Sequence, residues 1–118
     1  MALNPREAAG DCRIDEVFKA LADPTRLSVI ETLSKGPASM TELAQSFPMT
    51  LPSFAQHLRV LEQSGLLQSA KRGRERRYRV VPTRLIMAED WLGEQRAIWE
   101  QRLDRLERYV EGMKKEGS

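Results

Sequence analysis

Residues 39–65 carry the start and stop signals of two short helices, and these signals restrict the fold more than any other part of the chain. Ser39 and Glu42 have the spacing of a capping box, which predicts a first helix directly after them. Thr50 can cap a second helix in the same way. Gly65 suits the left-handed conformation in which many helices end. The sequence therefore predicts two helices joined by a tight turn.

A basic hairpin is predicted directly after this helix pair. Residues 68–79 hold six basic side chains against Glu75 alone, a local charge of +5 in a chain whose formal net charge is only +2. Tyr78 and Val80 alternate with Arg77 and Arg79, so one face of the second strand can pack while the other stays charged. A helix pair followed by a basic hairpin is the pattern of a winged helix-turn-helix. That module typically places one helix in the DNA major groove and lays the hairpin along the phosphates.

The expected fold is mainly α-helical with a small β-hairpin. At 118 residues the chain suits one domain, with a helix-turn-helix core and wing over 14–82 and a long C-terminal dimerisation helix over 83–113. Asp23 followed by Pro24 is a typical helix start, with Asp23 as the cap. The predicted bounds of the first four helices are 14–22, 24–34, 39–47 (cap included) and 51–64. The predicted strands cover 66–71 and 76–81.

Apolar residues recur every seven positions along the last helix, as in helices that pair with another helix. A helix of about 30 residues spans on the order of 45 Å, more than so small a domain can cover. The surplus apolar stripe predicts a second copy of the chain as partner. The two tryptophans there could alternatively form a ligand cage. The expected dimer contacts are Phe18, Trp91, Leu92, Trp99, Leu103, Leu106 and Val110.

Candidate DNA contacts lie on the polar face of the second helix of the pair and on the hairpin. Gln56 can pair with an adenine edge, although it could also be an inert surface residue. His57 could contact DNA or pack at the core boundary, and no second metal ligand lies near it in sequence. The basic run taken alone could be plain solvated surface. The full predicted set is Thr50, Pro52, Ser53, Gln56, His57, Arg59, Lys71, Arg72, Arg74 and Arg76.

Four stretches in this order make the chain resemble the ArsR-type winged-helix transcriptional regulators of bacteria: ALADPTR, HLRVLEQSGLL, the G-R-x-R-x-Y hairpin and DWLGEQRAIWEQRLDRLE. The resemblance implies a homodimeric repressor that binds a palindromic operator and leaves it when a signal arrives. Many members sense metal through a Cys-x-Cys, and the matching positions here are Ser39 and Thr41. A second family site uses histidines on the C-terminal helix, whereas His57 is the only histidine. No metal or cofactor is expected. A small-molecule inducer is compatible with the resemblance, but the sequence does not identify one.

Other functional classes fit the sequence less well. One histidine, one cysteine and the lack of a glycine-rich phosphate loop argue against an enzyme. A winged helix used for protein–protein contact would not need so basic a hairpin, and an RNA-binding protein would show more stacking aromatics than Tyr78. The N-terminus has no signal-peptide pattern and no apolar run is long enough for a membrane span, so a cytoplasmic protein is expected. Cys12 is interpreted as a reduced thiol, with a redox trigger as the alternative.

Overall fold

The computed structural model describes residues 13–116, so Cys12 lies outside the described residues. Within this range, residues 13–88 form one compact unit and residues 89–116 form a second. The elements in chain order are α1 (Ile14–Leu21), α2 (Pro24–Leu33), β1 (Ala38–Ser39), α3 (Met40–Ala44), α4 (Leu51–Gln63), β2 (Leu67–Arg72), β3 (Glu75–Val80) and α5 (Pro82–Glu116).

The helix starts follow the capping signals of the sequence. The Asp23 carboxylate accepts a hydrogen bond of 3.1 Å from the backbone N–H of Arg26 at the start of α2. The Ser39 hydroxyl accepts one of 3.1 Å from the N–H of Glu42 at α3. Thr50 caps α4 in the same way. These polar caps satisfy backbone donors that lack a partner inside the helix, so the predicted starts are confirmed.

The sheet has three strands, one more than the predicted hairpin. Its order is β1-β3-β2, with both pairs antiparallel. The hairpin register sets Arg72 against Glu75, and Gly73 turns the chain with a φ of +67°. The additional strand β1 pairs Ala38 with Tyr78. Two residues are too short to show the alternation that identifies a strand, so the sequence pattern missed β1.

The core lies between the first four helices and the inner face of the sheet. Phe54, Leu58 and Leu61 supply the buried stripe of α4, and Leu43, Val29 and Tyr78 meet it from the other elements. The three- and four-residue spacing of the sequence predicts Leu51 on the same stripe. Leu51 is nevertheless 59% exposed, because it begins α4, before the turn that meets the core. Helical spacing also predicts Leu27 on the buried face of α2, but Leu27 is exposed and Val29 is buried instead.

The last helix, α5, extends slightly beyond the predicted 83–113 at both ends. Its first turns belong to the first unit, where Ala88 is buried in the core and Leu85 packs against it. From Glu89 onward the apolar side chains are largely exposed, including Leu92, Trp99 and Leu106. No helix in residues 13–116 combines the length and apolarity that crossing a bilayer requires.

Candidate nucleic-acid interface

The outward face of α4 carries the polar side chains that the sequence singled out. Phe54 and Leu58 are buried on the inner face, which directs Gln56 and Arg59 away from the core. Thr50 stands at the helix start, where its hydroxyl lies 3.0 Å from that of Ser53. The exposed residues of this face are Thr50, Pro52, Ser53, Gln56, Arg59 and Gln63.

Two of these side chains are joined to each other. Arg59 Nη1 donates a hydrogen bond of 2.7 Å to Gln56 Oε1 across one helical turn. The guanidinium is charged, so this bond is stronger than one between neutral partners. Gln56 and Arg59 therefore present one combined polar surface.

His57 faces one flank of α4 rather than the outward face. Its Nδ1 lies 3.2 Å from Arg26 Nη1 and 3.7 Å from Asp23 Oδ2, and its side chain is 22% exposed. Arg26 Nε also donates to the carbonyl oxygen of Ala20. The group ties α4 to the start of α2, which agrees with the core-boundary interpretation of His57. A DNA contact at His57 stays a prediction.

Asp23 is the acidic member of this group. The backbone N–H of Arg26 holds the pKa of the Asp23 carboxyl below its ordinary value of 3.8, and the charges of His57 and Arg26 act in the same direction. Burial opposes them without reversing the shift. The Asp23 carboxylate is therefore favoured in its charged form, as a helix cap requires.

The other flank of α4 is bonded to the hairpin. Ser69 in β2 donates a hydrogen bond of 3.0 Å from its hydroxyl to Glu62 Oε2, and Arg76 Nη1 in β3 donates one of 2.9 Å to the Ser69 hydroxyl. Tyr78 is buried beside them, where burial and the Glu62 carboxylate raise its pKa above the ordinary 10.0. Glu62 and Ser69 thus position the hairpin against α4.

The sequence interpretation did not single out Glu62 or Ser69. One signal was present, because Ser69 occupies a position in β2 directly opposite the inward-facing Tyr78. A hydroxyl on the packed face of a strand needs a hydrogen-bond partner. Its partner lies seven residues away on another element, and the sequence gives no means of choosing it.

The hairpin tip carries the predicted phosphate contacts. Lys71, Arg72 and Arg74 are exposed around the turn at Gly73. Arg76 is exposed as well, but one of its nitrogens is engaged by Ser69. The tip is therefore a cluster of three exposed cations, with a fourth held nearer to α4.

The predicted dimer residues fall into both compact units. Phe18 is partly buried in the first unit, where it packs against the core. In the second unit Trp91 is partly buried, and Arg102 lies 5.3 Å above the ring of Trp99. The remaining members, Leu92, Trp99, Leu103, Leu106 and Val110, are exposed. Among the described residues, no three histidine, cysteine or acidic side chains come together as metal ligands could.

Comparisons with known proteins agree with this architecture. A family model described as a helix-turn-helix domain matches residues 21–69. The chain is 39% identical over 71 residues to the HTH-type transcriptional regulator Rv2034 of Mycobacterium tuberculosis, covering 60% of this chain and 66% of that protein, just under two thirds of its length. It is 34% identical over 89 residues to the arsenical resistance operon repressor of Escherichia coli K12, covering 70% of this chain and 76% of the repressor. A crystal structure of an ArsR family transcriptional regulator superposes with a TM-score of 0.71 at 45% identity, covering 74% of this chain and 96% of that one.

Proposed function

Because the chain belongs to the ArsR family of transcriptional regulators, it is a DNA-binding regulator, and we propose that it acts as a homodimeric repressor of a palindromic operator. The observation that carries the proposal is the hydrogen-bonded connection from Arg76 through Ser69 to Glu62. It fixes a cationic hairpin beside the polar face of α4. A surface of this kind can contact phosphates and base edges at the same time.

We assign α4 to the major groove. Thr50, Pro52 and Ser53 lie at its N-terminal end, the part of such helices that usually meets the bases and nearby phosphates. Gln56 and Arg59 are long, exposed polar side chains that follow on the same face, and they are suited to base edges. His57 supports this placement of α4 by holding the helix against Asp23 and Arg26.

The hairpin is assigned to the phosphates on the flank of the site. Lys71, Arg72 and Arg74 provide exposed positive charge at the tip, and Arg76 adds a charge closer to α4. Phosphate contacts of this type strengthen binding to every sequence and make the affinity depend steeply on salt.

A second copy of the chain is the proposed occupant of the apolar face of α5. Leu92, Trp99 and Leu106 follow a seven-residue spacing, and each is more than half exposed. Seven-residue spacing is typical of a helix that packs along another helix. A twofold dimer would present two copies of α4 about one DNA turn apart, roughly 34 Å, which is the geometry that a palindrome requires.

The proposed repressor responds to a signal other than a metal ion at the family's usual positions. The Ser39 hydroxyl caps α3, and Thr41 has no thiol group. Neither residue therefore offers the thiolate ligand that a Cys-x-Cys metal site needs. We propose that the inducer is a small molecule rather than a metal ion, and that it acts in the cytoplasm, where the operator lies. Operator affinity that changes reversibly with micromolar zinc would contradict the metal-free assignment.

Selection of bound duplexes from a random DNA pool tests the proposal most directly. A recovered palindrome with two half-sites one turn apart would support both the operator and the dimer. Sedimentation of the complex should then give two chains per duplex. Recovery of unrelated sequences, or of a single half-site bound by one chain, would contradict the proposal.

A further inference from the structure

We infer that Gln56 and Arg59 act as one donor pair that selects guanine in each half of the operator. The inference rests on the proposed function, in which α4 lies in the major groove. It adds the identity of a base and assigns Arg59 a role in specificity. The supporting observation is the 2.7 Å bond from Arg59 Nη1 to Gln56 Oε1.

This bond fixes which way the Gln56 amide points. A guanidinium carries only N–H donors, so the amide atom that faces Arg59 has to be the oxygen. The amide nitrogen of Gln56 is then the group directed away from Arg59, with both of its hydrogens available. Gln56 therefore uses one lone pair of its oxygen within the protein and offers both amide hydrogens to a ligand.

The surroundings of Arg59 leave it paired with Gln56. Glu62 lies one turn further along α4, and its Oε2 accepts the hydrogen bond from Ser69. Arg59 lies on the side of α4 that faces the hairpin, in a groove that it lines together with Arg76 and Tyr78. Its remaining N–H groups add to those of the Gln56 amide, so the joint surface consists mainly of donors.

Base edges in the major groove respond differently to such a surface. Guanine presents two acceptors, N7 and O6, whereas adenine presents the acceptor N7 beside the donor N6. A glutamine with a free oxygen and a free nitrogen matches adenine, which is the contact that the sequence suggests for Gln56. The Gln56 oxygen keeps a second lone pair, but the Arg59 guanidinium bonded to it repels the amino group at adenine N6 and can itself donate to guanine O6, so guanine becomes the better match.

Selection from a random duplex pool, carried out with the wild type and three single variants, tests this assignment. The base pair read by Gln56 is the one whose preference disappears in Gln56→Ala. At that position we expect the wild type to select guanine over adenine by about 5- to 150-fold. Arg59→Ala removes the positive guanidinium from beside the amide oxygen and should move the preference to adenine. Arg74→Ala at the hairpin tip is the matched control: it should weaken binding without changing any base preference.

The possible outcomes distinguish a failure of the guanine-selecting donor pair from a failure of the proposed DNA-binding function. Three outcomes would overturn the donor pair and leave the DNA-binding function intact. The wild type could already select adenine. Arg59→Ala could retain guanine, or it could lose the preference without a shift to adenine. No enrichment of any duplex by the wild type would overturn the proposed function itself. Arg59→Met, which keeps most of the apolar stem, repeats the test, and thermal unfolding confirms that each variant is folded.

Discussion

Glu62 on α4 accepts a hydrogen bond of 3.0 Å from Ser69 in β2, and this bond joins the helix to the hairpin. Arg76 adds a second bond to the same hydroxyl from β3. A shared hydroxyl can fix the angle between two surfaces that we propose to contact one duplex together. The helix and the hairpin therefore depend on each other for their placement.

Ser69→Ala removes the hydroxyl that serves both bonds. We expect it to lower the free energy of unfolding by about 1 to 3 kcal/mol, because the part-buried Glu62 carboxylate loses a donor. DNA affinity should fall for all sequences alike, since the hairpin is no longer fixed against α4. Urea unfolding and salt-matched binding measure the two effects. Ser46→Ala, at an exposed position after α3, is the control, and an equal loss of stability there would argue against the connection.

Gly65→Ala should destabilise the protein. Gly65 has a φ of +83°, and an added Cβ would lie 2.5 Å from Arg84 Nε. Backbone strain of about 1 kcal/mol is expected even if the arginine side chain moves. Gly93→Ala within α5 meets nothing within 4 Å, and should instead stabilise the helix by roughly 0.5 to 1 kcal/mol. Thermal unfolding of both variants checks the opposite signs, and a neutral Gly65→Ala would contradict the strain at this position.

The features set by local chemistry could be predicted from the sequence. Asp23, Ser39 and Thr50 cap helices because their own side chains reach the neighbouring backbone, and Gly65 ends α4 through its own backbone freedom. These effects need only a few adjacent residues. The exposed polar face of α4 followed from helical spacing for the same reason.

The features that the sequence did not predict depend mostly on partners that are distant in sequence. Strand β1 exists because Ala38 and Ser39 pair with β3, about forty residues later. The contacts of His57 with Asp23 and of Glu62 with Ser69 need the packed fold to bring them together. The bond from Arg59 to Gln56 is local, and i, i+3 spacing could have indicated it.

Loss of one exposed charge at the hairpin tip should reduce the salt dependence of binding. Arg74→Ala removes one predicted phosphate contact, so the slope of log K against log salt should become shallower by about 0.9. The double variant Arg74→Ala with Arg76→Ala should change it by up to twice that amount. Titrations between low and moderate salt provide the slopes. If the double variant keeps the wild-type slope, the hairpin does not contact the phosphates.

Asp23 should contribute to stability in a pH-dependent way. Its pKa is lowered in the folded protein, so the contribution is complete above the ordinary value of 3.8 and is lost as the pH falls through the folded value. Asp23→Asn keeps a good cap but cannot titrate, and should unfold with a weaker pH dependence below about pH 5. Asp23→Ala loses the cap and should cost about 0.5 to 2 kcal/mol at neutral pH. If the wild type and Asp23→Asn lose stability equally at acid pH, a group other than Asp23 is responsible for that loss.

Trp99→Asp should separate the proposed dimer. Trp99 is 59% exposed on the apolar face of α5, and a second copy packed on this face would bury an aspartate with no partner for its charge. Ala97→Asp is the matched control, because it places the same charge two residues away on the opposite, polar side of the helix. Sedimentation at micromolar concentration should give monomers for Trp99→Asp and dimers for Ala97→Asp. The monomeric variant should also lose the operator, since one copy of α4 reaches only one half-site. A tight dimer of folded Trp99→Asp would place the interface on another surface.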